Sequence, residues 1–530
     1  MSNYEQSKLE ETLYLTDTIN FILKELNKDQ EAIKDRRSNL INSRREMWEN
    51  APKSANDFDT IPEMNNYLAE ITYQTQNYER IAERIEKYNK MIDVPYFGRF
   101  DFKEDGYNDV EKVYLGLYNL MNMDDLSILV YDWRSPVASM YYQCEVGRGS
   151  YISPSGTLLG DISMKRQYKI EKGNLTYFFD SSIQIKDDIL QEVLSHNTSP
   201  KMRHIVETIQ KEQDLIIRDT QSQLLMVQGV AGSGKTSIAL HRIAFLLYTG
   251  MESKLFSNNI MIVSPNAIFS KYISNVLPEL GEENVEQTTF DDISYDILGS
   301  SFTIEKRSQM LESLVHLHKH RDLSSKIRRI EFKGSLVFKE ILHRLITYYE
   351  RRLIPFEDVY YNGKIIKTKQ QLMNQLLSDR TGLPTAKKLN RIENILISQI
   401  EEEKQLRLER IQQVVENTGK HTFNVEAYSN KLASTEIRQL RKQIQRFTKI
   451  DYLQIYKLLF NNKDLPLRLA KGLTLPNDTD HIILETQKEL KYGYISYEDS
   501  SALLYLKLKL EGHTAFNSIR HLVIDEAQAL

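Results

Sequence analysis

Residues Gly229-Val230-Ala231-Gly232-Ser233-Gly234-Lys235-Thr236 complete a G-x-x-x-x-G-K-T pattern, and no other stretch constrains the fold so tightly. The apolar run Leu224-Leu225-Met226-Val227 before it predicts a strand, and Ser237–Tyr248 after it predicts a helix. Glycines let such a loop curl around phosphate oxygens, and the N–H groups opening the helix face them. Gly229, Gly232, Ser233, Gly234, Lys235, Thr236 and Ser237 are therefore the candidate phosphate-binding residues. Lys235 is placed to reach the outer phosphates of ATP, and the Thr236 hydroxyl to hold Mg²⁺.

A second segment, Val523-Ile524-Asp525-Glu526-Ala527-Gln528, closes an apolar run. A strand ending there sets carboxylates beside the phosphate loop in a parallel sheet. Asp525 is the candidate for organising the Mg²⁺ shell, and Glu526 for orienting and deprotonating an attacking water. Lys235 and Asp525 lie 290 positions apart, far more than one α/β layer fills, so a large insertion separates them.

The first ~95 residues have a different texture. Ile19, Leu26, Ile33, Leu40 and Met47 recur every seven positions. Met64, Leu68, Ile71, Thr75, Tyr78, Ala82, Ile85, Asn89 and Ile92 alternate steps of four and three, the seam of a coiled coil. Between the runs lie Pro52, Asp57, Asp59 and Pro62, which stop one helix and start the next. An antiparallel arm about 50 Å long, at ~1.5 Å per residue, fits the short turn, with a parallel dimer as the alternative. Trp48 reads as an anchor near the turn. Residues 96–182 carry Gly/Pro punctuation, dense aromatics and alternating runs, and predict a small β-rich module. Residues 183–300 begin the α/β domain, 301–484 are a mostly helical insertion, and 485–530 return to the α/β domain.

Charge is unevenly spread. The formal net charge is −4, yet residues 301–450 hold 29 basic against 17 acidic side chains. A block of +12 implies an anionic partner such as nucleic acid, or else a set of solvated helices. The single cysteine, Cys144, excludes a disulfide framework and a multi-cysteine zinc site. No stretch has the roughly 18 apolar residues of a membrane span, and the polar start is not a secretory signal, so no membrane partner is expected and the cytoplasm is the expected location.

GVAGSGKT followed by His241-Arg242-Ile243-Ala244, together with DEAQ, resembles the superfamily 1 helicase motors of the UvrD/Rep kind. The resemblance implies a RecA-like ATPase domain in which Gln213 reads adenine, Arg242 lies near the base, and Gln528 senses the γ-phosphate. It also implies that Ser264-Pro265-Asn266 and Thr288-Thr289-Phe290 touch single-stranded nucleic acid. PYFGRFDF, Asp132-Trp133-Arg134-Ser135-Pro136, Ile189-Leu190-Gln191-Glu192-Val193-Leu194, VLPELGEENVEQTTF and YEDSSALLYLK narrow it to the HelD branch. That branch implies an ATP-dependent factor that binds RNA polymerase through the N-terminal arm and releases it from nucleic acid.

In this family the DEAQ segment is followed by further RecA-like structure, so the chain reads as truncated after the Walker B motif, with Ala529 where an acidic residue is usual. Weak or absent ATP hydrolysis by the 530 residues alone is the corresponding expectation. Two other classes compete with the polymerase factor: a DNA helicase or translocase with the same ATPase core, and a nucleotide-holding, hydrolysis-deficient binding protein.

Overall fold

The computed structural model describes residues 3–49, 61–180, 206, 209–230, 232–253, 255–265, 276–280, 282–299, 302–316, 320–417, 424–462 and 464–529. The readings that fall on Asp57, Asp59, 189–194, Ala231 and Asn266 lie outside these residues. The chain divides into two compact units, one of residues 1–287 with 520–529 and one of residues 288–519.

The first unit opens with two long helices, α1 (Asn3–Glu49) and α2 (Ile61–Asp93). Asp29 of α1 takes the Arg84 guanidinium of α2, and Glu25 lies close to Tyr88, so the helices run antiparallel. A largely buried carboxylate in a seam has to meet its cation, and such a pair pins one register. Leu15, Ile22, Leu26 and Leu40 are buried along α1. On α2 seven of the nine expected positions, Met64, Ile71, Thr75, Tyr78, Ala82, Ile85 and Ile92, are half-buried, and two depart from the expected face. Leu68 is 48% exposed and Asn89 is exposed, whereas Tyr67, Ile71, Gln74, Tyr78, Ile81, Ile85 and Tyr88 are half-buried. The seam is displaced by one position at Leu68 and Asn89 because Tyr67 and Tyr88 offer more apolar area than those residues do. Trp48 is 76% exposed, so it anchors nothing within the described residues.

A mixed seven-stranded sheet follows: β1 (Gly98–Glu104), β2 (Glu111–Gly116), β3 (Leu120–Met121), β4 (Ile128–Asp132), β5 (Gly147–Ser153), β6 (Gly156–Glu171) and β7 (Asn174–Asp180), with the short helix α3 (Ser139–Gln143) between β4 and β5. The order is β3-β4-β2-β1-β6-β5, with β7 also on β6, and β2–β4 is the parallel pair. The register sets Arg99 of β1 opposite Arg166 of β6. Both guanidinium groups donate to buried Glu11 of α1, at 2.6 and 2.9 Å, and the Tyr114 hydroxyl joins them at 3.1 Å. Asp101 and Asp180 take the remaining donors of the two arginines. Each buried charge is thereby paired, which burial demands. The FGRFDF segment is thus the footing of α1.

The α/β part consists of helices α4 (Lys211–Ile217) and α5 (Lys235–Ser253) and a sheet of β8 (Ile260–Ser264), β9 (Glu286–Thr289) and β10 (His521–Ile524), in the order β10-β8-β9. β8 and β10 are parallel, with His521 opposite Ile260 and Ile524 opposite Val263. One apolar core runs from Leu15 and Met91 through Trp133 to Ile243 and Ile262. The strand expected at Leu224–Val227 does not form. Leu224 is 86% exposed, and the segment joins no ladder. Apolar composition makes a strand only where a neighbour accepts its hydrogen bonds.

The second unit is mainly helical. Its elements include α6 (His320–Lys333), α7 (Thr385–Asn417), α8 (Val425–Thr448), α9 (Thr479–Lys491) and α10 (Tyr497–Leu510). One core gathers Phe338, Leu345, Tyr456 and Leu503, and another Phe356, Leu389 and Ile444. α7 and α8 lie side by side, with Arg407 bidentate on Glu436. The described residues contain no helix long and apolar enough to cross a membrane.

Candidate nucleotide site

The glycine-rich loop has the backbone its sequence demands. Gly232 and Gly234 have φ of 82° and 81°, which side chains with a Cβ rarely adopt. A Cβ on Gly229 would lie 2.7 Å from the Ser233 hydroxyl oxygen, so a side chain there would make the Ser233 hydroxyl rotate away. The Lys235 ammonium bridges the loop, donating to the carbonyls of Gly229 at 3.0 Å and Val230 at 2.9 Å.

Asp525 follows β10, and β10 lies beside β8. The Thr236 hydroxyl donates to its carboxylate oxygens at 3.1 and 3.2 Å, although the residues are 289 positions apart. Burial raises the Asp525 pKa, and the Thr236 hydroxyl opposes that rise. Glu526 has a φ of 50°, outside the usual range for its residue type, and the Gln528 amide donates to its carboxylate. Strained backbone persists where its surroundings impose it, commonly at functional sites.

A cavity of about 410 Å³ opens beside the loop, within the size range of small-ligand sites. Gly232, Ser233, Gly234 and Ser237 line one side, and Ile209, Gln213, Ile217 and His241 the other. The Gln213 side-chain oxygen caps α4 by accepting from the Gln210 N–H at 3.1 Å. Its amide nitrogen lies toward Gly234. Arg242 is turned away from this cavity, and its guanidinium donates to the Ile216 carbonyl at 2.6 Å. Among the described residues no group of three His, Cys, Asp or Glu is placed to hold a metal. A threonine hydroxyl beside one carboxylate suits Mg²⁺, which keeps waters and takes phosphate oxygens as further ligands.

The Asp132-Trp133-Arg134-Ser135 segment has a role that sequence reasoning missed. Arg218, just after α4, donates to the carbonyls of Trp133, Arg134 and Ser135 at 2.7, 3.1 and 3.1 Å. Arg134 is bidentate on Asp132, pairs with Glu282, and lies 4.7 Å over the Tyr248 ring of α5. The fully buried Trp133 ring meets His241 edge-on at 5.6 Å. The β-rich module is thereby joined to both helices that border the cavity. Nothing local in sequence marks Arg218 for this work, since its partners lie about 85 positions away.

His241 itself makes a pH prediction. Its Nδ1–H donates to the Ser237 carbonyl at 2.6 Å, Nε2 is buried without a partner, and burial lowers the pKa to about 4. A lowered folded-state value means that protonation favours unfolding. The stability it contributes is full above the unfolded value near 6.5 and falls as pH drops toward 4. The expected loss is about 3 kcal/mol over that window. Urea unfolding between these pH values should reveal this dependence, and His241→Phe should flatten it.

A glycine loop whose Thr236 meets Asp525 at the end of β10 has the form of a P-loop. Residues 209–530 match the UvrD/REP helicase N-terminal domain. Residues 11–194 match the N-terminal domain of DNA helicase IV HelD. The chain belongs to the UvrD/REP superfamily 1 helicases and is of the HelD type. No curated protein matches it.

Proposed function

We propose that the chain is an ATP-dependent factor that binds RNA polymerase and releases it from nucleic acid. The observation that carries the nucleotide half is the Thr236–Asp525 pair, formed across 289 positions beside a closed glycine loop. In this reading Gly229, Gly232, Ser233, Gly234 and Ser237 surround the phosphates of ATP, and Lys235 exchanges loop carbonyls for phosphate oxygens. Thr236 and Asp525 hold Mg²⁺, which supplies charge neutralisation at the phosphates when bound. Glu526, held by Gln528, orients a water and accepts its proton. The cavity walls of Ile209 and Ile217 suit a base, with the Gln213 amide as the polar reader; Arg242 supports that wall through Ile216.

The polymerase half rests on α1 and α2, read as a coiled-coil arm. Its root is fastened by Glu11, and its far end carries an exposed tryptophan, a side chain enriched at binding hot spots. Trp48→Ala should reduce retention of the chain on immobilised RNA polymerase about tenfold or more, and leave nucleotide binding unchanged. Leu40→Asp, which buries a charge in the seam, should do the same by splaying the arm. Full retention by both variants removes the arm from polymerase binding and favours the DNA-translocase reading.

A further inference from the structure

α8 has two faces of opposite character. Ser429, Ala433, Ile444, Phe447 and Thr448 are buried on one. Lys431, Arg438, Lys442 and Arg446 fall along the opposite face, at intervals of seven, four and four residues, and all four are exposed, as is Lys449 in the extended position just after the helix. The helical row is on the order of 23 Å long at ~1.5 Å per residue. Neither acidic residue of α8 belongs to it. Glu426 lies off the row, and Glu436 faces Arg407 of α7. Arg441, beside the row, leans 3.6 Å from Glu393 and is excluded from it. Among the described residues none of the five cations has an ion-pair or hydrogen-bond partner for its side chain.

We infer that this face of α8 binds the phosphate backbone of duplex DNA. The inference concerns the second unit alone and leans only on the nucleic-acid side of the function proposed above. Charge and chemistry choose the occupant. The face combines Lys and Arg with Ser434, Thr435 and Gln439, the side chains that contact phosphate and sugar. A protein partner calls for a desolvated apolar or aromatic anchor at the centre of the patch, whereas the exposed Tyr428 and Leu432 lie at its N-terminal end and no aromatic points outward between Lys431 and Lys449. A single strand is gripped by stacking on successive aromatic platforms, and α8 exposes one aromatic, Tyr428, near its start. A straight row of point charges on a rigid helix suits a stiff duplex.

The test compares the full chain with the triple variant Arg438→Gln/Lys442→Gln/Arg446→Gln. All three side chains are exposed, so helix content and nucleotide binding serve as controls and should not change. Binding is measured by anisotropy on a labelled duplex of roughly 20 base pairs, between ~50 and ~200 mM salt. The slope of log affinity against log salt should fall by about 2 to 3, and affinity near 100 mM by about tenfold or more. An unchanged slope and affinity would overturn the inference. So would an equal loss on a single strand of the same length. Loss of RNA polymerase binding with duplex binding intact would reassign the face to an acidic protein surface. Because the nucleotide site and the arm are untouched, failure here leaves the proposed function standing.

Discussion

Replacing Lys235 with alanine is expected to weaken nucleotide binding by about 10- to 100-fold while leaving the chain folded. The ammonium is half-exposed, and its hydrogen bonds go only to the Gly229 and Val230 carbonyls at the loop surface. Removing it therefore costs the folded state little. The bound state loses a charge-assisted contact to phosphate, and hydrogen bonds to charged groups are worth about 1.5–3 kcal/mol each, which sets the expected range. A fluorescent ATP analogue titrated against wild type and variant measures the change, with thermal unfolding as the control. Unchanged affinity at unchanged stability would show that the loop does not hold phosphates. A large fall in both would point to misfolding, and Lys235→Met, which keeps the aliphatic stem, would then separate the two effects.

The second large effect is expected in the helical unit. Lys333 of α6 and Asp499 of α10 are both 0% exposed and paired at 2.5 Å. Thr486 of α9 takes another Lys333 proton at 2.7 Å, and the hydroxyls of Tyr456 and Ser496 donate to Asp499 at 2.5 and 2.8 Å. Burial alone raises the carboxyl's pKa, but the ammonium and the hydroxyls outweigh it and the net direction is down. Lys333→Met leaves that carboxylate buried without its cation, a change that costs about 3–5 kcal/mol. Lys333→Met/Asp499→Leu removes both charges and should recover part of the loss, though two hydroxyls then lack an acceptor. Urea unfolding of the three proteins supplies the comparison. A single variant as stable as wild type would mean that this pair does not hold the unit together.

The glycine loop of the candidate site was legible in sequence because its geometry is local. Eight consecutive residues make the loop, and the glycines at 232 and 234 are required by the φ they adopt. The Asp525 position was also legible, since a carboxylate after an apolar strand has few places to go in a parallel sheet. Two kinds of feature were not. A strand at Leu224–Val227 was read from composition, but pairing depends on neighbours that composition does not reveal. The α2 seam was read from steps of four and three, and at Leu68 and Asn89 the neighbouring Tyr67 and Tyr88 took the inward places instead.

Distant polar partners were equally invisible. Glu11 sits among other acidic residues of a polar helix and becomes distinctive only when Arg99 and Arg166 converge on it. Arg218 and Glu282 acquire meaning only through Trp133 and Arg134. The resemblance drew attention to the DWRSP block as a mark of kinship. Its physical work is to brace the β-rich module against α4 and α5, the two helices bordering the nucleotide cavity. One apolar core contains both Trp133 of that brace and Leu15, one helical turn from the Glu11 footing.

The most direct test of the account is release of RNA polymerase from a labelled DNA–RNA scaffold, measured by anisotropy as the chain is added with ATP and Mg²⁺. The scaffold is expected to dissociate as polymerase takes up the chain, and Trp48→Ala and Lys235→Ala are each expected to suppress this through different steps. Trp48→Ala should fail to associate with polymerase, and Lys235→Ala should associate without nucleotide-dependent release. A chain that binds nucleotide normally yet neither joins polymerase nor displaces the scaffold would contradict it.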